Sequence, residues 1–68
     1  MLFTAQTKEH EVELIDDYYE IPETDEVETT IGWKKVSELA IGDIIIGTDN
    51  QDIIKNIIKN DRKYLLYI

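Results

Sequence analysis

The chain has 68 residues, which is enough for one small domain and excludes a second. It contains no cysteine, so disulfides, thiolate metal sites and a thiol nucleophile of its own are excluded. Seven basic and fifteen acidic residues give a net charge of −8, which argues against binding nucleic acid through its phosphates and favours a basic partner.

The apolar segments are too short for a membrane span. The longest uninterrupted ones are residues 44–46 and 64–68, whereas a span needs about 20 residues. The first four residues have neither the basic start nor the long apolar stretch of a signal peptide. We therefore expect a soluble, cytoplasmic protein that makes no contact with a membrane.

Two short strands are predicted first, over residues 2–7 and 10–15, with a turn at residues 8 and 9 between them. The second segment alternates Val12 and Leu14 with glutamates, which is the period of a strand with one buried face.

Residues 16–30 are predicted to form a mobile acidic loop. Residues 16–28 contain seven acids, one proline and no base, and their mutual repulsion disfavours compact packing. The segment is interpreted either as a solvated loop without a partner or as a docking strip for a basic segment. The candidate partner-binding residues are Asp16, Asp17, Glu20, Glu23, Asp25, Glu26 and Glu28.

The second half favours further strands and one helical turn. A short strand is predicted over residues 31–36, followed by a helical turn from Ser37 to Ala40 that the Ser37 hydroxyl caps. The β-branched residues 44–46 indicate a strand buried on both faces, and residues 47–50 indicate a turn.

Residues 52–60 fit both a helix and a strand, because four isoleucines lie on one helical face while β-branching favours a strand. We favour a strand, followed by a turn at 60–63 and a last strand at 64–68. The prediction is therefore a single all-β domain over residues 1–68, in a small Hint-like or SH3-like arrangement.

The side chains available for catalysis are few. There is one histidine, and the single serine, Ser37, has no histidine near it in sequence, so a hydrolytic triad is not expected. Glu9, Glu11 and Glu13 share a strand face but lack histidine companions, and the acids at 49 and 52 do not match a calcium loop. No metal and no cofactor are expected.

The Thr7-x-x-His10 spacing is the candidate catalytic constellation. A hydroxyl and an imidazole three residues apart across a tight turn can converge on one side, where His10 can exchange a hydrogen bond with a strained peptide group and Thr7 can orient it. By itself the pattern is common, and a lone histidine is more often structural than catalytic.

Residues 32–46 strengthen this hypothesis. Thr7-x-x-His10 is followed by Gly32-Trp33, then by Val36-x-x-Leu39, and then by Gly42-Asp43 before a β-branched run. This order resembles the Hint family, the fold of inteins and hedgehog-type autoprocessing domains, over residues 2–46.

The resemblance implies a horseshoe-shaped all-β fold in which His10 promotes an N-to-S or N-to-O acyl shift and Thr7 assists. Gly32, Trp33, Leu39, Gly42 and Asp43 would be architectural. Trp33 and Leu39 are expected to bury a lid over the sheet, Gly42 to adopt positive φ, and Asp43 to cap turn amides.

The chain departs from a complete intein at both ends. Met1 stands where an intein has Cys or Ser, and Tyr67-Ile68 stand where it has His-Asn. The family's aspartate near the last tyrosine-rich strand is also missing. We therefore expect a fragment whose nucleophile lies on another polypeptide and which cannot complete splicing alone.

The charge distribution agrees with a split fragment. Residues 1–30 carry ten acids and one lysine, net −9, and residues 31–68 carry five acids and six bases, net +1. The expected partner is a complementary, basic intein or protein fragment. The alternative is a small SH3-like or barrel-like β module, of a kind a phage could encode, that binds a partner through its acidic loop and performs no catalysis.

Overall fold

The fold consists of short antiparallel strands. A computed structural model describes residues 3–68, which form nine strands and one 3₁₀ turn, Val36–Glu38. The strands are β1 (Thr4–Gln6), β2 (Glu11–Glu13), β3 (Tyr18–Pro22), β4 (Glu26–Thr29), β5 (Gly32–Lys35), β6 (Ile44–Ile46), β7 (Gln51–Ile53), β8 (Asn56–Asn60) and β9 (Lys63–Tyr67). They form three sheets, with the strand orders β1-β2, β3-β9-β8 and β5-β4-β6-β7. The all-β prediction is confirmed.

Most of the predicted strands are present in shortened form. The first predicted strand corresponds to β1, and its residue Leu2 lies outside the described residues. The ambiguous segment 52–60 contributes to β7 and β8, so the preference for strand is confirmed, with a break at residues 54 and 55. Residues 44–46 form β6, but only Ile45 is fully buried, so burial on both faces is corrected to burial mainly on one.

The predicted helical turn is present one residue earlier than expected, at Val36–Glu38. Val36 is buried, and its amide donates to the Asp25 carbonyl, while the Leu39 amide donates to the Val36 carbonyl. Lys35 occupies the N-cap position, and no side chain caps the turn, so the predicted Ser37 cap is corrected. Burial of Val36 and Leu39 sets the position of the turn.

The prediction of an acidic loop over residues 16–30 is corrected, because this segment contains β3 and β4. In β3, Tyr19 and Ile21 are buried and alternate with more exposed neighbours, which is the period of a strand on a core. Acids on the outer face are compensated in part by lysines, since Lys63 Nζ lies 3.4 Å from Glu20 Oε1. Apolar burial on one face therefore outweighs the charge repulsion on the other.

All three sheets contribute to one hydrophobic core. Ala5 comes from β1, Tyr19 and Leu66 from the paired strands β3 and β9, and Val27 and Ile45 from the largest sheet. The full set of buried hydrophobic residues is Ala5, Tyr19, Ile21, Val27, Val36, Leu39, Ile45, Ile54 and Leu66.

A buried polar network connects β1, β3 and β7. The Tyr19 hydroxyl lies 2.8 Å from Asp52 Oδ2 and 3.0 Å from the Thr4 carbonyl oxygen, and it can donate to either. Asn50, just before β7, donates through Nδ2 to the same two oxygens, at 2.7 Å to Asp52 and 2.8 Å to Thr4. The Thr4 amide in turn donates to Asn50 Oδ1 at 3.0 Å. The side chains of Tyr19, Asn50 and Asp52 thus satisfy one another and the backbone groups of Thr4.

This network favours the protonated form of Tyr19. The side chain is fully buried, and burial raises its pKa above the ordinary value of 10.0. The hydrogen bond to the Asp52 carboxylate and the nearby carboxylate charge raise the pKa further, while the hydrogen bond from Asn50 lowers it to a smaller extent. Tyr19 therefore acts as a hydrogen-bond donor at neutral pH.

Gly47 lets the chain after β6 pass close to β1. A methyl group at position 47 would lie 2.0 Å from the Thr4 carbonyl oxygen, far inside van der Waals contact. The next residue, Thr48, donates its amide to Thr4 Oγ1 at 2.9 Å. The β6–β7 turn is therefore held directly against the β1 backbone.

We predict that Gly47→Ala lowers the free energy of unfolding by about 2–3 kcal/mol, because the new methyl group must displace the Thr4 backbone. The matched control is Gly42→Ala. Position 42 has a φ of 99° but open space around it, so the control measures conformational strain alone, about 1–2 kcal/mol. Urea unfolding followed by tryptophan fluorescence measures both. A Gly47→Ala variant as stable as the original chain would contradict the close approach.

Candidate functional site

The candidate catalytic residues Thr7 and His10 lie at the two ends of the tight turn between β1 and β2. The register of these strands places Gln6 opposite Glu11, so the loop consists of Lys8 and Glu9, as predicted. The Thr7 amide donates to the His10 carbonyl at 3.0 Å. The turn is also fixed to the neighbouring sheet, because Thr7 forms a β-bridge with Val27.

The Thr7 hydroxyl completes this turn. It donates to the His10 carbonyl at 2.5 Å and accepts from the His10 amide at 3.0 Å. A regular two-residue hairpin uses positive φ in its loop, but among the described residues other than glycine only Asp16 and Asp61 have positive φ. The side chain thus takes the place of the Thr7 carbonyl as acceptor for the His10 amide.

The hydroxyl and the imidazole have separate roles in this arrangement. The hydroxyl of the buried Thr7 is bonded to the backbone of His10 on both its donor and its acceptor side. Thr7 therefore fixes the backbone that carries the imidazole.

His10 itself is exposed and borders an open cavity of about 410 Å³. The other lining residues are Glu20 and Pro22 from β3, Asp61 and Arg62 from the β8–β9 turn, and Lys63 from the start of β9. Two acids and two bases surround the space, so it has no strong net charge. The described lining supplies no hydroxyl or thiol, so a nucleophile would have to enter from outside it.

The Gly32-Trp33 motif lies close to the Thr7–His10 turn. Trp33 is in β5, opposite Glu28 of β4, and the Lys8 ammonium lies 4.9 Å from the centre of its ring. The expected burial of Trp33 is corrected, since 42% of the residue is exposed. Gly32 has a φ of 113°, which accounts for the glycine at the start of β5.

Leu39, Gly42 and Asp43 form a second cluster near the start of β6, and their expected roles agree with the geometry. Leu39 is buried and Gly42 has positive φ. Asp43 Oδ2 accepts from the Ala40 amide at 2.9 Å and pairs with Lys34 Nζ at 3.0 Å. The hydrogen bond from Ala40 and then the one from Lys34 lower the pKa of Asp43.

The seven acidic candidates for partner binding do not form one surface. Asp16 and Asp17 are exposed in the turn before β3. Glu20 and Glu23 lie near lysines of the same chain, at 3.4 and 3.8 Å. Glu26 and Glu28 face Lys35 and Trp33 across the β4–β5 pair. Asp25 is only 4% exposed, which removes its carboxylate from the surface.

Sequence reasoning missed the structural role of Asn50 and Asp52. The sequence gives Asp52 no role beyond a rejected calcium loop, whereas the structure buries it and bonds it to Tyr19 and Asn50. The available signal is the spacing of Asp52 and Ile54, which places both on one face of a strand, because a charged side chain on the same face as a core residue needs a buried partner.

Within residues 3–68 there is no group of three His, Asp or Glu side chains that could hold a metal ion. The same part of the chain has no helix of the length and apolar character that a membrane crossing requires. Comparisons of the chain with protein-family models, with curated proteins and with solved structures found no match.

We predict that Thr7→Val lowers the free energy of unfolding by about 1–2 kcal/mol relative to Thr7→Ser, because valine keeps the shape but removes both hydrogen bonds to His10. Serine retains the hydroxyl and is the matched control. Urea unfolding measures the stability, and the His10 amide resonance reports the turn directly. Equal stability of the two variants, with the His10 amide unshifted, would contradict the assigned role of the hydroxyl.

Proposed function

We propose that this chain is a Hint-type autoprocessing fragment that presents His10 to a peptide bond of another polypeptide. The observation that carries the proposal is the fixed turn, in which the Thr7 hydroxyl binds both the amide and the carbonyl of His10. The imidazole remains exposed at the edge of an open cavity, where an extended peptide has access to it.

The second support is the arrangement of the remaining Hint-like residues. Lys8, inside the turn, stacks on Trp33, and the turn is bridged to β4 at Val27. Gly42 and Asp43 have the backbone conformation and the capping bond that the resemblance implies. Residues twenty or more positions away in the sequence, Val27 and Trp33, thus support the turn.

The proposed chemistry is an acyl shift. A thiol or hydroxyl of the partner polypeptide attacks the carbonyl carbon of the peptide bond that precedes it, which gives a tetrahedral intermediate. The C–N bond then breaks and leaves a thioester or ester, and the departing amine nitrogen takes a proton from the His10 imidazolium. The proton released by the nucleophile restores the imidazolium, so no further reactant is required.

A second candidate function is a small acidic β module that binds a partner without catalysis. A complete core of its own favours this candidate: the accessible surface is 4269 Å², close to the ~4,450 Å² expected for a folded protein of this mass. A chain that already buries a normal share of its surface does not need a complementary fragment in order to fold.

The test of the proposed acyl shift uses a reporter protein joined to a cysteine-led N-terminal intein segment whose own Thr-x-x-His region has been deleted. After mixing with this chain, a gel assay measures reporter released by a thiol reagent. We predict that the chain binds the segment and raises the rate of release by about 10²-fold or more, and that His10→Ala abolishes this gain.

Glu9→Gln is the matched control for His10→Ala, because Glu9 lies in the same turn and is exposed. This variant should retain the full rate. Binding without accelerated release, an equal rate in His10→Ala, or no binding at all would each contradict the autoprocessing function. Binding without release would favour the non-catalytic module.

A further inference from the structure

A second open cavity, of about 440 Å³, lies on a different part of the molecule and has no role in the proposed acyl shift. All three residues of β7, Gln51–Ile53, line it. In its sheet β7 pairs only with β6, and it is the last strand in the order β5-β4-β6-β7. The cavity therefore runs along a sheet edge.

The hydrogen-bond pattern shows which β7 groups point to this edge. The Gly47 amide donates to the Asn50 carbonyl and the Ile54 amide to the Asp43 carbonyl, so these positions form the hydrogen-bonded pairs of the ladder. Antiparallel pairs alternate, which makes Ile45 and Asp52 the bonded pair between them. The amides and carbonyls of Gln51 and Ile53 consequently point away from β6. Within residues 3–68, the backbone groups of Gln51 and Ile53 form no hydrogen bond with backbone groups outside the sheet.

The walls of the cavity combine apolar and acidic side chains. Phe3, Leu14, Ile53 and Ile68 supply the apolar surface, and both Phe3 and Ile53 are more than 40% exposed. The turn residues Asp16 and Asp17 are exposed at the same cavity, and Lys55 is the only basic residue of its described lining. An apolar groove beside an open strand edge fits an extended peptide, whose alternate side chains enter the groove.

We propose that β7 binds an extended peptide segment of a partner protein, with apolar side chains in the groove and a basic side chain beside Asp16 and Asp17. The backbone groups of Gln51 and Ile53 pair with the peptide, as in β-strand addition. A second copy of this chain is the less suitable occupant, because each copy carries a net charge of −8 and the copies repel each other. This surface is independent of His10 and of the acyl shift.

The probe is an N-acetylated, C-amidated peptide of alternating valine and threonine with an arginine at each end. Isothermal calorimetry measures affinity, and NMR of the labelled chain locates the site. We predict that the peptide binds, that the amides of Gln51 and Ile53 shift and exchange more slowly with solvent, and that glutamate in place of the arginines abolishes binding.

Two further changes separate backbone pairing from charge. Methylation of alternate peptide nitrogens, on the edge that faces β7, should remove binding because it removes the donors. In the chain, the double variant Asp16→Asn and Asp17→Asn should weaken binding roughly fivefold. Asparagine tolerates the positive φ of Asp16, so this variant keeps the turn. The double variant Glu9→Gln and Glu38→Gln is the charge-matched control outside the groove and should bind as the original chain does.

Several results would overturn the proposal. One is that the arginine peptide does not bind. Another is that the glutamate peptide or the methylated peptide binds as tightly as the arginine peptide. A third is that the amide shifts lie away from β7. Concentration-dependent dimerisation of the chain alone, with shifts at Gln51 and Ile53, would assign the edge to a second copy. Failure here leaves the His10 assay unaffected, since that assay reads release of a reporter.

Discussion

The buried hydrogen-bond network around Tyr19 is the interaction on which the rest of this fold depends. Three sheets of two, three and four short strands have little stability separately, so the fold depends on the contacts between them. Tyr19 of β3 and Asp52 of β7 meet at 2.8 Å. The Tyr19 hydroxyl also bonds to the Thr4 carbonyl oxygen of β1, and Asn50 links Asp52 to the same oxygen. The network therefore fixes the relative positions of strands that belong to three different sheets.

The same network sets the position of the candidate catalytic turn. β1 has only three residues, with Thr4 in the network at its start and Thr7 in the His10 turn directly after its end. Gly47 allows the β6–β7 turn, which also carries Asn50, to contact the Thr4 backbone and hold this short strand in place. Displacement of Thr4 would be transmitted to Thr7 through three residues of extended chain. The geometry at His10 thus rests on residues remote from it in sequence.

Local sequence patterns predicted much of the fold and little of its long-range organisation. β-Branched and aromatic residues identified β5, β6 and β9, and the Lys8-Glu9 turn followed from the alternation on either side of it. The acidic segment was misassigned because charge density indicates a solvated loop, whereas Tyr19 and Ile21 are buried opposite Leu66 and Tyr64 of β9. Their partner strand is more than forty residues away, so no local pattern reports it.

Local sequence patterns also failed to predict the contacts within the candidate site. The Thr7-x-x-His10 spacing indicated a turn. The chemistry of the two side chains does not predict that the Thr7 hydroxyl binds the backbone amide and carbonyl of His10. Trp33 is exposed in β5, an edge strand, where Lys8 is in contact with its ring. Asn50 and Asp52 are polar residues of ordinary type, and the bonds that hold the half-buried Asn50 and the buried Asp52 involve Tyr19, thirty-one and thirty-three residues away.

The ionisation of Tyr19 tests the central role of the network most directly. Because the folded-state pKa is raised above 10.0, the stability that this tyrosine contributes is present below pH 10 and is lost as the pH rises further. Tyrosinate absorbance and circular dichroism, recorded together during an alkaline titration, compare the original chain with Tyr19→Phe. If the network holds Tyr19 protonated, the two proteins give equal tyrosinate signals as long as both are folded. Tyr19 of the original chain then ionises only when that chain unfolds. An extra tyrosinate signal from the original chain while it is still folded would contradict a buried, hydrogen-bonded Tyr19.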